Sequence, residues 1–348
     1  METRAVVNSS QVVAGPRLTV CAAQSATMPI DLSALRAGLG GTAAVCAVDL
    51  PFGSPEGPNR SAILRAWDVM SRCDGLFVRS GSVPAVLIDR CGRLRCVAVH
   101  GVGVEQVDVE ACWARGVEVT NVPGGNANAV AELALALILD LARSVSRQDR
   151  NVRRGHWDTC RVIGRELQGA LLGVLGFGNV GRLVSQKASA LGMSVLANDA
   201  MLTDASIRAG GAEPVGLEEL FSRSDFVSVH LPMTEQTRHL VDRRLLGLMK
   251  ATAYLVNTSR GGVVDQEALA DVLETRHIAG AGLDVQDPEP PLPGGRLEQV
   301  DTVVLLPHSA GSTNECLATI ARLAGEDIAR VLTGKNALNF IRGRLVSR

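Results

Sequence analysis

The chain is poor in aromatic residues and carries almost no net charge. Of its 348 residues, 3% are aromatic and 46% are hydrophobic, and the formal net charge is −1. A chain this close to neutral presents no electrostatic footprint for nucleic acid, so we expect no nucleic-acid partner. Its core must be aliphatic, which is typical of buried parallel strands rich in Val, Leu, Ile and Ala.

Long apolar segments and paired cysteines are also missing. The most apolar helical stretch, residues 129–142, is interrupted by Glu132 and Asp140, so no membrane partner is expected. No continuous apolar run follows Arg4, so no signal peptide is predicted. The eight cysteines form no CxxC pair and no cluster at metal-ligand spacing. This pattern predicts reduced thiols, no bound metal and a cytoplasmic protein.

Short apolar runs alternate with helical patterns along the chain. Its length is typical of two domains. The alternation predicts an α/β fold with parallel sheets. Strands are predicted at 18–22, 75–78, 96–99, 117–121, 171–175, 194–198, 226–230, 253–257, 278–284 and 303–306. Long helices are predicted at 130–143, 180–191 and 313–332.

A glycine motif, Gly176-x-Gly178-x-x-Gly181, lies at the middle of the chain. It follows the apolar run 171–175 and begins a helical pattern, the arrangement in which a helix N-terminus binds a pyrophosphate. Asp199 ends the next predicted strand, where an acid accepts hydrogen bonds from ribose hydroxyls and repels a 2′-phosphate. A plain turn or helix-cap role for Asp199 is the alternative. Together these residues predict a dinucleotide site that favours NAD over NADP.

Three charged residues follow the last three predicted strands. Arg260, Glu289 and His308 each lie in the loop after a strand, at the sheet edge where α/β proteins bind ligands. Arginine binds a carboxylate and polarises a neighbouring keto oxygen. Histidine transfers a proton near neutral pH, and a paired glutamate favours the imidazolium. Each residue alone is more often structural or solvated, but together they predict carbonyl reduction by hydride transfer.

These motifs resemble the D-isomer-specific 2-hydroxyacid dehydrogenase family. The motifs that carry the resemblance are Leu-Gly-Val-Leu-Gly-Phe-Gly-Asn-Val-Gly at 172–181, Val-His-Leu-Pro at 229–232, Val-Asn-Thr-Ser-Arg-Gly-Gly-Val-Val-Asp at 256–265, Gly-Leu-Asp-Val-x-x-x-Glu-Pro at 282–290 and Pro-His-Ser-Ala-Gly-Ser-Thr at 307–313. The resemblance implies an NAD-dependent enzyme that interconverts a small D-2-hydroxy acid and its 2-keto acid. The implied type is phosphoglycerate dehydrogenase or hydroxypyruvate–glyoxylate reductase, in a short form without a C-terminal regulatory domain.

The resemblance assigns residue roles by motif position. The implied catalytic residues are Arg260, Glu289 and His308. The implied cofactor contacts are Gly176, Gly178, Asn179, Val180, Gly181, Asp199, Leu231, Pro232, Thr258, Ser259, Arg260, Asp284, His308 and Gly311. The implied substrate contacts are Arg79, Ser80, Val102, Gly103, Asn126 and Arg260.

The resemblance also implies the domain organisation. Two Rossmann- or flavodoxin-like parallel-sheet domains are expected, the nucleotide domain being inserted into a discontinuous substrate domain. The substrate-binding domain would comprise residues 1–124 and 312–348, and the NAD-binding domain residues 125–311. A homodimer formed through the nucleotide domain is implied. Because the resembled family includes transcriptional corepressors, a dinucleotide-sensing binding protein with little turnover is the alternative.

Overall fold

The computed structural model describes residues 18–53, 55–157 and 162–341. The chain divides into two compact units. Unit 1 comprises Met1–Pro123 and Leu317–Arg348, and unit 2 comprises Gly124–Cys316. The sequence predicts that the chain passes from one domain to the other after residues 124 and 311. In the structure it passes from one unit to the other after residues 123 and 316. The assignment of substrate binding to the discontinuous part stays a prediction.

Unit 1 is built on one parallel sheet. Its strands are β1 (Thr19–Gln24), β2 (Ala44–Asp49), β3 (Gly75–Val78), β4 (Cys96–Val99) and β5 (Glu118–Thr120), and its first helices are α1 (Leu32–Leu39), α2 (Arg60–Met70), α3 (Ala85–Ile88) and α4 (Val109–Ala114). The strand order is β2-β1-β3-β4-β5, with every pair parallel. This is the flavodoxin-like order, which places a topological switch point between β1 and β3.

Unit 2 is built on a larger parallel sheet. Its strands are β6 (Leu171–Leu175), β7 (Ser194–Asn198), β8 (Glu213–Pro214), β9 (Phe226–Val229), β10 (Tyr254–Asn257), β11 (Gly280–Leu283) and β12 (Val303–Leu305). The order is β12-β11-β10-β9-β6-β7-β8, again all parallel. Apart from the added β12, this is the Rossmann order, with the switch point between β6 and β9.

Eight further α-helices complete the described chain. They are α5 (Ala127–Arg143), α6 (Val145–Arg153), α7 (Asn179–Ala190), α8 (Asp204–Ala209), α9 (Leu217–Arg223), α10 (Arg243–Leu248), α11 (Gln266–Glu274) and α12 (Asn314–Leu332). Helix α5 buries Ala131, Ala134 and Ile138 on one face, at the spacing of an amphipathic helix. A Cβ at Gly282 of β11 would lie 3.2 Å from Leu137, so α5 lies directly on the sheet.

The predicted fold class, two parallel-sheet α/β domains, is confirmed. Strands β3, β4, β6 and β7 have the predicted bounds. The sequence analysis missed β2 and the two-residue β8. Strand β2 lies at the edge of its sheet and its residues are half-buried or exposed, so its pattern lacks the continuous apolar run of a central strand. Of the helices that the structure describes, none combines the length and the apolar character that a membrane crossing requires.

Candidate active site

The three glycines of the central motif meet three different steric demands. Gly176 adopts a φ of +91°, and a Cβ there would lie 2.9 Å from the His230 carbonyl carbon. A Cβ at Gly181 would lie 2.1 Å from the Gly176 carbonyl oxygen, so α7 lies close against the turn. A Cβ at Gly178 would meet nothing within 4 Å. Gly178 therefore leaves open the space that a phosphate group approaching the backbone would use.

The N-terminus of helix α7 has the properties that suit an anion. Its cap residue is Gly178, and none of the described side chains accepts a hydrogen bond at this cap. The first N–H groups of a helix have no intrahelical acceptor, and the helix dipole favours negative charge there. Asn179 is exposed at this end, whereas Val180 packs partly on the unit 2 core. The turn and the helix end therefore fit the pyrophosphate of a dinucleotide.

Asp199 connects the glycine turn to the end of β7. One carboxylate oxygen accepts a hydrogen bond from the Phe177 N–H at 2.8 Å, and the other accepts one from the Met201 N–H at 2.8 Å. The turn role that the sequence left open is therefore present. Each carboxylate oxygen has two lone pairs and can still accept a ribose hydroxyl. The ribose contact stays a prediction.

The loop after β9 is ordered by one threonine. The Thr237 hydroxyl donates to the Pro232 carbonyl at 2.6 Å and accepts from the Thr234 N–H at 2.8 Å. This closure holds Leu231 and Pro232 on the carboxyl side of the strand. The preceding His230 is half-buried, and burial lowers its pKa to about 3, which keeps the ring neutral.

The loop after β10 is fixed by Asn257. Its side-chain oxygen accepts from the Ser259 N–H at 3.0 Å and from the Ser259 hydroxyl at 2.8 Å, and its amide donates to the Arg260 carbonyl at 2.9 Å. The Arg260 guanidinium donates to the Ser259 carbonyl at 2.9 Å. Thr258 is 7% exposed, and its hydroxyl has no partner among the described residues. A buried hydroxyl that lacks a hydrogen-bond partner in the protein is suited to bond with a bound ligand.

The loops after β10 and β11 lie in close contact. A Cβ at Gly261 would lie 2.1 Å from the carbonyl carbon of Gln286, so only glycine allows the two backbones to approach this far. Gln286 in turn donates to the Leu306 carbonyl, at the end of β12, at 3.2 Å. The three predicted catalytic loops are therefore joined to one another within unit 2.

Asp284 shapes the turn that carries His308. Its fully buried carboxylate accepts from the Ser309 N–H at 2.8 Å and from the Ala310 N–H at 2.9 Å. The His308 N–H donates to the Asp284 carbonyl at 2.8 Å. Burial raises the pKa of Asp284, and the two N–H bonds oppose that shift. Asp284 is thus a positioning residue, and its predicted contact with the nicotinamide side of the cofactor stays a prediction.

His308 and Glu289 form a hydrogen-bonded pair. The His308 Nδ1 lies 2.5 Å from Glu289 Oε1. This bond raises the pKa of His308, against the opposing effects of burial and of the Arg260 charge. With Nδ1 engaged, Nε2 is the ring atom available for proton transfer. The Arg260 charge lowers the pKa of His308, which indicates that the guanidinium lies near enough to act on the ring electrostatically.

Residue Gly311 follows the His308 turn and lies against Asn126. A Cβ at Gly311 would be 3.7 Å from the Asn126 Cβ, an ordinary van der Waals distance. Asn126 caps the N-terminus of α5 without a side-chain hydrogen bond among the described residues. The structure therefore brings Asn126, a predicted substrate contact, to the end of the loop that carries the predicted acid/base.

In unit 1 the predicted substrate residues lie at the carboxyl ends of β3 and β4. Arg79 is 8% exposed and donates to the Pro29 carbonyl in the loop after β1, across the switch point. The buried Ser80 hydroxyl donates to the Leu50 carbonyl at 2.7 Å. Arg79 thus places a buried positive charge where flavodoxin-like sheets bind ligands, whereas the Ser80 hydroxyl already has a structural acceptor.

The loop after β4 is held open toward solvent at its tip. The Asn121 amide donates to the Val102 carbonyl at 2.7 Å, while the Val102 side chain is 46% exposed. Gly103 is half-buried beside it. His100, at the start of this loop, has an Nε2 without a partner among the described residues. Burial and the Arg79 charge lower its pKa to about 3, so the ring is neutral.

Comparisons with known proteins agree with this geometry. A family model described as the NAD binding domain of D-isomer specific 2-hydroxyacid dehydrogenases matches residues 135–310. The chain is 38% identical to a glyoxylate reductase of Korarchaeum cryptofilum over 279 residues, covering 79% of this chain and 84% of that protein. It is 39% identical to a hydroxypyruvate reductase of Thermotoga maritima over 250 residues, covering 71% and 81% respectively. The chain belongs to the D-isomer-specific 2-hydroxyacid dehydrogenase family.

The fold of this family member is also found among solved structures. The TT0316 protein of Thermus thermophilus superimposes with a TM-score of 0.81 at 32% identity, over 93% of this chain and all of that one. The chain spans about half the length of several D-3-phosphoglycerate dehydrogenases that it matches, between 50% and 54% of them. Family membership makes the chain an NAD-dependent oxidoreductase that interconverts 2-hydroxy acids and 2-keto acids.

The residues that fit NAD are those of unit 2. The open Gly178, the N-terminus of α7 and the orphan Thr258 hydroxyl each offer a place for part of a dinucleotide. Sequence reasoning found these positions but missed Asn257, which orders the Arg260 turn, and gave Asp284 no positioning role. The available signal was the strand end itself, because Asn and Asp side chains there commonly bond to the backbone of the following turn.

Proposed function

We propose that this enzyme reduces a small 2-keto acid of the size of glyoxylate or hydroxypyruvate with NADH. The observation that carries the proposal is the His308–Glu289 pair, with its Nδ1 to Oε1 distance of 2.5 Å, beside the neighbouring loop that holds Arg260. The glyoxylate and hydroxypyruvate reductases that the chain resembles match it over more than four-fifths of their own length. The D-3-phosphoglycerate dehydrogenases are matched over about half.

Arg260 would bind and polarise the keto acid. A guanidinium binds a carboxylate through two parallel hydrogen bonds and withdraws electron density from an adjacent keto oxygen. Bound NADH supplies the hydride that adds to the substrate C2. Because the Asn257 side chain bonds to the Ser259 N–H and the Arg260 carbonyl, the backbone that carries the guanidinium is held in place.

His308 would deliver the proton that completes the reduction. The Nε2–H of the imidazolium donates to the oxygen that gains negative charge, and the neutral ring takes the proton back in the oxidative direction. Glu289 raises the pKa of His308, so the acid form persists to a higher pH. Glu289 acts through His308 and is therefore a positioning residue in this scheme.

The residues of unit 1 would select the substrate. The loop at residues 101–103 offers backbone N–H groups to a carboxylate, as the family resemblance implies. Arg79 adds a nearly buried positive charge at the β1/β3 switch point, which favours a substrate with a second polar group, such as the hydroxyl of hydroxypyruvate. Hydroxypyruvate carries a hydroxymethyl group that glyoxylate lacks. Comparing the two substrates tests whether an uncharged polar group is enough for recognition by Arg79.

Oxidation of NADH against a panel of 2-keto acids tests the proposal. The panel contains glyoxylate, hydroxypyruvate, pyruvate and phosphohydroxypyruvate, and we expect the first two to give the highest kcat/KM. In His308→Ala, turnover should fall by roughly 10²- to 10⁴-fold, while NADH binding measured by fluorescence stays unchanged. His277→Ala is the matched control, since its ring bonds to the Gly247 carbonyl in a separate region.

Two results would overturn the proposal. Near-normal turnover in His308→Ala would remove the assigned acid/base. Absence of turnover with every keto acid, together with NADH-dependent self-association, would favour the dinucleotide-sensing alternative. A clear preference for phosphohydroxypyruvate would refute the substrate size proposed here while leaving the reaction intact.

We also propose a homodimer formed through the nucleotide domain. Unit 2 exposes large apolar side chains on α6 and its flanks, with Val145 58%, Val152 42%, Trp157 65% and Ile163 100% exposed. Large apolar side chains that are exposed in the monomer support an interface on this part of unit 2. Sedimentation should give twice the monomer mass, and Ile163→Asp should yield monomers. A monomeric wild-type protein at micromolar concentration would refute the dimer.

A cytoplasmic location is the last part of this proposal. The six cysteines of unit 1 are all thiols, without a disulfide bond, which is typical of a reducing compartment. Cell fractionation with an antibody against the chain should place it with cytosolic markers. Recovery in a membrane or secreted fraction would contradict this location.

A further inference from the structure

Three cysteine side chains meet on one face of the unit 1 sheet. They are Cys21 of β1, Cys46 of β2 and Cys73, which lies between α2 and β3. Their sulfur atoms all lie within 4.8 Å of one another, and the Cys46 and Cys73 sulfurs are 3.9 Å apart. This cluster, here called the thiol triad, contains none of the residues assigned to the reaction.

The fold itself brings the triad together. Cys21 and Cys46 are register partners on neighbouring parallel strands, so their side chains point to the same face of the sheet. That face is covered by α2, and the chain returns from α2 to β3 through Cys73. Twenty or more residues separate successive members, so no short metal-binding pattern is present in the sequence. Strand pairing thus creates a cluster that cannot be recognised from the spacing of the cysteines in the sequence.

The triangle of sulfur atoms has the size of a metal site. An ion about 2.3 Å from each of three sulfurs in one plane requires sulfur–sulfur distances of roughly 4 Å. The observed distances, 3.9 Å for one pair and at most 4.8 Å for the others, need only small side-chain rotations to reach this value. One ion could therefore contact all three sulfurs at once.

The donor set selects the kind of ion. Among the described residues no histidine or carboxylate joins the three sulfurs. The nearby Asp74 carboxylate already accepts the Thr19 N–H at 2.8 Å and pairs with Arg93 at 3.0 Å. Structural zinc requires four ligands. Three thiolates with no fourth ligand suit a soft ion of low coordination number, for which Cu(I) is the biological example.

Binding of a cation is coupled to the protonation of the triad. The thiolate and not the thiol is the metal ligand, so binding requires the three thiols to lose their protons. A bound cation offsets the repulsion between the three thiolates that this loss creates.

Access to the triad is through its outer member. Cys21 is fully buried and Cys73 is 2% exposed, whereas Cys46 lies half-buried on the edge strand β2. We propose that unit 1 binds one Cu(I) ion through the thiolates of Cys21, Cys46 and Cys73. The ion enters past Cys46 and displaces the thiol protons to solvent, with no change in the oxidation state of copper or sulfur.

Titration of the reduced full-length protein with Cu(I) in the absence of oxygen tests this site. A chromogenic Cu(I) chelator serves as competitor, and thiolate-to-copper absorption in the ultraviolet reports the bond. We expect one tightly held ion per chain. In Cys46→Ala the affinity should fall by roughly 100-fold or more, because losing a ligand costs at least as much as losing its supporting partner. Cys91→Ala, a buried cysteine outside the triad, should bind as the wild type does.

A second readout separates binding from misfolding. Cu(I) should raise the Tm of the wild type and of Cys91→Ala, since a ligand that binds only the folded chain stabilises it, but not that of Cys46→Ala. Cys73→Ser repeats the test, and keto-acid reduction by each variant shows that the chain is folded. Equal Cu(I) affinity in the wild type and Cys46→Ala would overturn the proposal. So would preferential retention of Zn²⁺, or a Cys46–Cys73 disulfide with no copper uptake after reduction.

Discussion

Replacement of Glu289 by Gln should separate the charge of this side chain from its shape. The amide keeps the size of the carboxylate and an oxygen that can accept the His308 Nδ1–H. It removes the negative charge that raises the pKa of His308, while burial and the Arg260 charge, which lower that pKa, remain. The pKa of His308 must therefore fall in Glu289→Gln, and the imidazolium must be lost at a lower pH.

The size of the effect follows from the exposure of the pair. Two unit charges about 4 Å apart attract by about 1 kcal/mol in water and about 4 kcal/mol near a protein surface. The two side chains are 47% and 39% exposed, so solvent screens the pair and the smaller end of that range applies. We take about 1–2 kcal/mol, which corresponds to a roughly 5- to 30-fold loss of imidazolium above the pKa.

Steady-state rates in both directions across pH provide the assay. Reduction of the keto acid needs the imidazolium, so its alkaline limb should move to lower pH in Glu289→Gln. Oxidation of the hydroxy acid needs the neutral ring, so its acid limb should also move to lower pH, which extends activity there. Glu298→Gln, in the same loop region but bonded to the Gly294 N–H, should leave both limbs in place. If Glu289→Gln lowered the rate equally at every pH and in both directions, the electrostatic argument would be refuted. Glu289 would then only position the His308 ring.

Three further predictions concern the cofactor and the substrate. Asp199→Ala should weaken NAD binding more than NADP binding, and an unchanged ratio of the two Kd values would limit Asp199 to its bond with the Phe177 N–H. Gly178→Ala should weaken NADH binding without changing the Tm. Gly181→Ala should lower the Tm, because its Cβ would lie 2.1 Å from a carbonyl oxygen; equal Tm values in the two variants would contradict this contrast. Arg79→Ala should change the ratio of kcat/KM values for hydroxypyruvate and glyoxylate more than the Kd for NADH, and an unchanged ratio would leave Arg79 a structural role.

The fold was predictable where strands are buried on both faces. The runs at β3, β4 and β6 are continuous and apolar, and their bounds agree with the prediction. Strand β2 was not predicted, because it lies at the edge of its sheet and an edge strand need not be apolar on both faces. The order of strands in each sheet could not be obtained from apolar runs, since several orders satisfy the same pattern. It came from the family resemblance and from the structure.

The candidate site was predictable as a set of residue types and not as a set of bonds. The charged residues after β10, β11 and β12 were found because strand ends at one sheet edge collect ligands. The role of Asp284 was not found, because a buried carboxylate that accepts two backbone N–H groups depends on a turn that follows the next strand. The thiol triad was not found for the same reason. Contacts that arise from strand pairing leave no spacing pattern in the chain.

The groups around His308 shift the pKa of its ring in opposite directions. The residue adopts a φ of +52°, a conformation that costs energy for a side chain other than glycine, and the bonds to Asp284 hold it there. The ring is thereby directed to Glu289, which raises its pKa, while the Arg260 charge lowers it. A group that must donate a proton in reduction and accept one in oxidation works best when neither form dominates. Glu289 and Arg260 therefore act on the pKa of His308 in opposite directions. Removal of Glu289 should lower this pKa, whereas removal of Arg260 should raise it and also take away the proposed contact with the substrate carboxylate.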